Sequence, residues 1–292
     1  MNITPLSPVL GAEIDGVDLA AISAAEFEEV YQAWVEHGVL RFRGQSLDDK
    51  QLEEFSARFG PLGKTPAKLP PEKLKLLPSL YVVPLSNIKK EGRPIGGLGN
   101  TEARWHSDMT YLETPPPASV LLSIEVPEEG GNTQFSCQHA ALESLPEELR
   151  ERLRHIRIKH DAAHTSVGDL RFGFEEVSDP SDAPGAVHSA ILRHSENGRD
   201  ALYLGRREWA YVMGMEIEDS ERLLDELWRY AALPENVWTQ EWRVGDVLIW
   251  DNRRVVHRRD GFPDHMRRLM KRCQVLARES VTSLPVREGI SG

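Results

Sequence analysis

The sequence predicts an α+β protein with a jelly-roll-like β core carrying helical inserts. Three observations lead there. Short apolar stretches of strand composition recur along the chain, among them Val39-Leu40-Arg41-Phe42 and Val247-Leu248-Ile249-Trp250. A few segments with helical periodicity lie between them, Ala24 to His37 and Asp219 to Ala232 being the clearest. The last third then returns to strands, over 237–243, 247–250 and 269–277.

In chain order, residues 8–19 read as a strand and turn. Ala24 to His37 places Phe27, Val30, Tyr31 and Trp34 on one helix face, and Gly38 ends it. Val39 to Arg43 is a strand. Ser46 opens a second helix with Leu52, Phe55 and Phe59 at helical spacing, which Gly60 stops. The prolines and lysines of 61–78 (Lys64, Lys68, Lys73, Lys75) predict a surface loop, part of a lid over 61–104. Within that stretch Leu80 to Leu85 is a short strand. Gly96-Gly97-Leu98-Gly99 lacks the strand-turn-helix setting of a phosphate cradle and reads as a lid hinge. Met109 to Leu112 has strand propensity, Pro115-Pro116-Pro117 breaks the sheet, Val120 to Val126 resumes it, and Gly130-Gly131-Asn132-Thr133 turns into Phe135. His139 to Lys159 reads as mainly helical and 161–185 as an insert. Val187 to Arg193 and Ala201 to Leu204 form a hairpin about Asn197-Gly198, and helix 219–232 buries Leu223, Leu224, Leu227 and Trp228.

With 292 residues, 40% hydrophobic and 28% charged, the chain is expected to form a single domain over 1–292. A net charge of -11 argues against a polyanionic partner, so no nucleic acid and no anionic membrane is expected. The start Met1-Asn2-Ile3-Thr4-Pro5-Leu6 has neither the charge nor the apolar run of a secretion signal. No stretch reaches the ~18 apolar residues of a membrane helix. The expected location is the cytoplasm. Cys137 and Cys273 have no metal or redox spacing and read as core thiols.

Chemistry is concentrated around Trp105-His106-Ser107-Asp108. If this stretch is extended, His106 and Asp108 point to one face. A third ligand from a distant strand would complete the two-His-one-carboxylate face that suits ferrous iron, and His257 is the candidate. Chance spacing also produces such pairs, and the chain has a second, His194-Ser195-Glu196; because it runs into Asn197-Gly198, it reads as solvated loop. Arg268 and Arg272, four apart on one strand, share a face with Met270 and Gln274. Turned inward they need anionic partners, because guanidinium stays charged; on an edge strand they would reach water.

Taken together, Trp105-His106-Ser107-Asp108, Gly130-Gly131-Asn132-Thr133, Trp250-Asp251-Asn252-Arg253 followed by His257, and Arg268 eleven residues after that His resemble the taurine dioxygenase and 2,4-dichlorophenoxyacetate dioxygenase family of iron(II)/2-oxoglutarate enzymes. The resemblance extends from Gly11-Ala12-Glu13-Ile14 through Phe42-Arg43-Gly44 and Phe59-Gly60-Pro61 to Arg272. It implies a double-stranded β-helix (jelly-roll) core, Fe(II) held by His106, Asp108 and His257, and O2 and 2-oxoglutarate as cosubstrates. Arg268 and Thr133 would hold the distal carboxylate of 2-oxoglutarate. Hydroxylation of a small organic acid, with release of succinate and CO2, is the implied reaction, and Arg272 would meet the acid. Retention of Asp108 excludes the halogenase variant, which has Ala or Gly there. Two departures, near Thr65 and at Glu102, argue against taurine as substrate. Met109, Tyr111, Trp209 and Tyr211 are candidates for a pocket wall, each with a core role as its alternative. Arg206 and Arg207 read as surface charges. A homo-oligomer, dimer or tetramer, is left open. A reading from another class, a non-catalytic jelly-roll sensor binding 2-oxoglutarate or an organic acid, is disfavoured by the intact ligand set with Arg268.

Overall fold

The computed structural model describes residues 1–64 and 79–278. The chain begins with β1 (Asn2–Pro5), β2 (Ala12–Asp15), helix α1 (Ala24–His37), β3 (Val39–Phe42) and helix α2 (Asp49–Ala57). Next come β4 (Val83–Ser86), the two-residue strands β5 (Lys89–Lys90), β6 (Arg93–Pro94) and β7 (Gly97–Leu98), then β8 (Ala103–His106), β9 (Ala118–Glu125) and β10 (Thr133–Cys137). Helices α3 (Gln138–Glu143) and α4 (Glu147–Leu153) lead to β11 (Arg157–Lys159), β12 (Val187–Ser189), β13 (Ile191–Arg193), β14 (Asp200–Leu202) and β15 (Tyr211–Val212). Helix α5 (Ile217–Ala231) precedes β16 (Val237–Gln240), β17 (Val247–Asp251), β18 (Val255–Arg259) and β19 (Leu269–Val275).

Eight strands form one sheet in the order β1-β2-β3-β17-β9-β19-β4-β7, and a four-stranded sheet, β16-β10-β18-β8, faces it as the second half of a jelly roll. Phe135, Cys137 and Val255 of the smaller sheet meet Leu121, Leu248, Trp250 and Met270 of the larger in one buried cluster. The larger sheet's outer face is covered by α1 and α2, so Val120, Leu122, Val247 and Ile249 pack with Trp34, Leu52 and Phe55. Burial on both faces explains why β17 reads as an unbroken apolar run. A third cluster joins α3, α4 and α5 to β11, β14 and β15 through Leu142, Leu153, Ile158, Leu202, Val212, Leu224 and Leu227.

Several local expectations are corrected. Helix α2 is capped by Asp48, not opened by Ser46, because Asp48 and Gln51 form a reciprocal capping box. His139 to Lys159 is two short helices split at Pro146, and its end is strand β11, whose Ile158 is buried. Only β13 and β14 form the hairpin about Asn197-Gly198; β12 pairs with β11 instead. The distant strand expected to carry His257 is β18, Val255–Arg259. Residues 65–78, most of the loop expected over 61–78 and with it Thr65, lie outside the described residues. The expected hinge contributes Gly97–Leu98 as a short parallel partner of β4.

Candidate active site

The smaller sheet brings the first two candidate ligands together. Strands β8 and β18 are antiparallel with His106 opposite His257, and the two rings lie 4.2 Å apart, tilted by 45°. Asp108 is not on the strand. β8 ends at His106, and Asp108 begins a turn in which Met109 has φ +52. The alternation argument therefore reaches the right grouping by the wrong route, and the strand expected over Met109 to Leu112 is a turn. The turn is anchored by Ser107, whose NH donates to the Gly205 carbonyl (2.9 Å) and whose hydroxyl donates to the Asn252 carbonyl (2.6 Å).

One ligand atom from each of His106, Asp108 and His257 lies within 4.8 Å of the others. His106 Nδ1 is hydrogen-bonded to the Arg104 carbonyl at 2.7 Å, so Nδ1 carries the proton and the Nε2 lone pair is left facing Asp108 Oδ1 at 3.7 Å. His257 is packed against Trp250 and Phe135, and its Nδ1 is buried without a partner. Burial, and then the charge on His106, push His257 down to about 3, while burial also lowers His106. Burial alone would raise Asp108, but Arg272, the two imidazoles and the Ser119 hydroxyl outweigh it and hold the carboxyl at about 2. Neutral imidazoles beside an ionised carboxylate are the protonation states metal ligation requires. The donor set thus fits an iron(II) ion.

The fold also buries a cation that is unpaired among the described residues. Arg268 is 2% exposed, and its guanidinium has no hydrogen bond or ion pair among the described residues. Burial, and then Arg259, push it down to about 9. Arg259 satisfies itself on the carbonyls of Leu98, Gly99 and Thr101, without a carboxylate. A buried guanidinium left in this state calls for an anion. The turn before β10 permits the approach: Gly130 and Gly131 have φ +71 and +65, and a Cβ on Gly131 would sit 2.9 Å from Pro127 and 3.6 Å from the Arg268 stem. Two residues on, buried Thr133 accepts from Trp242 Nε1 at 3.0 Å, which leaves its own hydroxyl proton available to an anion.

Arg272 reaches the triad directly, with its guanidinium 3.6 Å from Asp108 Oδ1 and its side chain 23% exposed. Of the wall candidates, Tyr111 lies under the Arg171 guanidinium at 4.1 Å, and Trp209 (φ +59) stacks on His164 of the insert at 5.0 Å. Tyr211 belongs instead to a separate three-stranded sheet, β12-β11-β15, its hydroxyl donating to the Met215 carbonyl. Arg206 is not a surface charge. It bridges to His106 through the backbone, and its half-buried guanidinium donates to the carbonyls of His164 and Thr165 and to Asp161. Nor is His194 solvated: it is 1% exposed, accepts from the NH groups of Glu196 and Asn197, and donates through Nε2 to Asp251 at 2.8 Å. The one signal for it was sequence-distant Asp251, which no local pattern could supply. Ser119, bonded to Asp108 Oδ2 at 2.6 Å, was also missed, although a serine in the apolar run of β9 was a clue.

The model of the "Taurine catabolism dioxygenase TauD, TfdA family" matches residues 2–274. The chain is 30% identical over 291 residues to the alpha-ketoglutarate-dependent 2,4-dichlorophenoxyacetate dioxygenase of Burkholderia sp. (strain RASC), covering 95% of each. It is also 30% identical to the pentalenolactone F synthase of Streptomyces avermitilis, with 93% of each covered. Among solved structures, AAD-2 in complex with Mn(II) and N-oxalylglycine superposes with a TM-score of 0.75 at 26% identity, over 94% of this chain and 97% of that one. No helix among the described residues is long and apolar enough to cross a membrane. A match that runs through both sheets and every residue of the triad places this chain in the TauD/TfdA family of iron(II)- and 2-oxoglutarate-dependent dioxygenases.

Proposed function

We propose that this single-domain dioxygenase hydroxylates a small organic acid, with His106, Asp108 and His257 as its metal ligands, Arg268 and Thr133 as the site for the distal carboxylate of 2-oxoglutarate, and Arg272 as the site for the substrate's anionic group. The observation that carries this reading is the buried guanidinium of Arg268, which has no partner among the described residues, in a chain that also assembles the triad of His106, Asp108 and His257. Bound iron supplies the redox chemistry that couples oxidative decarboxylation of 2-oxoglutarate, to succinate and CO2, with oxidation of a substrate C–H bond. The chain's own residues do the rest. Arg268 binds the distal carboxylate by charge-assisted hydrogen bonds, and Thr133 donates a further one. Arg272, partly open and next to Asp108, fixes the acid so that its target carbon faces the metal. Phe135 and Trp250 seal the His257 side against water. Met109, Tyr111 and Trp209 contribute the wall on the insert side.

The test is succinate release with Fe(II), 2-oxoglutarate and oxygen across a panel of organic acids, including aryloxy acids and sulfate esters, and of their uncharged analogues. Acid-dependent succinate with one hydroxylated product per turnover is expected. If only uncharged compounds are oxidised, the organic-acid assignment fails. If no acid raises succinate formation, and 2-oxoglutarate binds without turnover, the sensor reading replaces it.

A further inference from the structure

Ser119 lies in the middle of the larger sheet, on β9 between β17 and β19, fully buried. A hydroxyl offers one proton and two lone pairs. At Ser119 all three are committed. Asn252 Nδ2 donates to its oxygen at 3.1 Å and Gln274 Nε2 at 2.8 Å, and the hydroxyl donates to Asp108 Oδ2 at 2.6 Å.

Neither amide can turn round. Asn252 Nδ2 also donates to the Pro116 carbonyl (3.2 Å) and Gln274 Nε2 to the Ala118 carbonyl (3.0 Å), and a carbonyl only accepts. The NH2 groups must therefore face Ser119, even though both amide oxygens are left buried without a partner. With two donors aimed at its oxygen, the Ser119 proton has one acceptor left, Asp108. The carboxylate is then divided: Oδ2 is tied into the sheet, while Oδ1 faces His106 Nε2 at 3.7 Å and Arg272 at 3.6 Å. Asn252 also receives the Ser107 hydroxyl on its carbonyl, so it holds the Asp108 turn from two directions.

We propose that Ser119, made an obligate donor by Asn252 and Gln274, is a positioning residue that restricts Asp108 to one-oxygen ligation. It keeps Oδ2 off the metal, so the carboxylate takes one coordination position and the remaining ones stay open for 2-oxoglutarate and oxygen. The inference rests on Asp108 being a metal ligand.

The experiment uses the full chain stripped with a chelator, titrated with Co(II) alone and followed by visible absorption, whose bands respond to coordination number. Ser119→Ala is expected to bind Co(II) about ten- to a hundredfold more weakly, the usual effect of losing a partner that orients a ligand. Its Co(II) spectrum should change as the released Oδ2 joins the metal. Gln274→Met should shift both readings the same way by less, and should add nothing in a Ser119→Ala background. Wild-type affinity and spectrum in Ser119→Ala would overturn the proposal. So would weaker binding with a wild-type spectrum, which would mean that Ser119 serves packing alone. Additive effects in the double variant would overturn the role of Gln274. Should Ser119→Ala fail to fold, Gln274→Met decides by the same two readings. Asp108→Ala is the control: if it retains wild-type affinity, the ligand assignment itself fails, whereas its loss beside an unaffected Ser119→Ala sinks this inference only.

Discussion

His106 and His257 face each other across antiparallel strands β8 and β18, in register and with their rings 4.2 Å apart. The backbone ladder of the smaller sheet thus sets the spacing of the two imidazoles, and no loop is needed to hold it. His106→Ala and His257→Ala should each abolish stoichiometric Fe(II) binding and 2-oxoglutarate turnover, because ferrous iron binds weakly enough to need every ligand. The sheet should survive. Metal analysis after gel filtration, together with far-UV circular dichroism, checks both statements, and an iron-loaded active variant would refute the assignment.

Arg268 is a buried cation without a partner among the described residues. Arg268→Ala should raise the KM for 2-oxoglutarate about ten- to a hundredfold, the equivalent of a lost charged hydrogen bond of ~1.5–3 kcal/mol. Thr133→Val should raise it less, about two- to tenfold, for a neutral bond. Initial rates of succinate formation against 2-oxoglutarate concentration measure both. An unchanged KM in Arg268→Ala would move the anchor elsewhere.

Arg272→Ala leaves the triad and Arg268 in place. The expected outcome is uncoupling, with less product per succinate formed and a 2-oxoglutarate KM within about threefold of wild type, since no contact to the cosubstrate is lost. Product and succinate are quantified together, using the acid found in the panel. A wild-type ratio would show that the substrate is held by another group.

Asp251 ties the end of β17 to His194 (2.8 Å) and Arg253 (2.8 Å) and is wholly buried. Burial alone would raise its pKa, but Arg253 and the His194 bond outweigh it and hold the carboxyl well below the usual range. A folded pKa below the unfolded value of about 3.9 means that this stabilisation is complete above about pH 4 and is lost as pH falls further. Asp251→Asn should therefore cost about 3 kcal/mol at pH 7, by leaving Arg253 short of its partner, and the gap to wild type should shrink below about pH 4. Urea unfolding at the two pH values tests the sign; a gap that widens in acid would contradict it.

The sequence alone determined the β-rich architecture, the cap at Gly38, the amphipathic faces of α1 and α5, and the grouping of His106, Asp108 and His257, because each depends on local periodicity or on a short motif in fixed order. It also showed that Arg268 and Arg272 need anionic partners if turned inward; the structure puts Arg268 just ahead of β19 and Arg272 on it. What it could not decide was anything that depends on residues distant in the chain meeting in space. The Asp108 turn, the burial of His194 against Asp251, the contacts of Arg206 with the insert, and the bond from Ser119 to Asp108 arise only when sheets pair and charges find partners. Local composition marks His194-Ser195-Glu196 as a solvated turn, yet the buried carboxylate of Asp251 offers its ring a hydrogen bond that water cannot reach, and that pairing belongs to the tertiary fold.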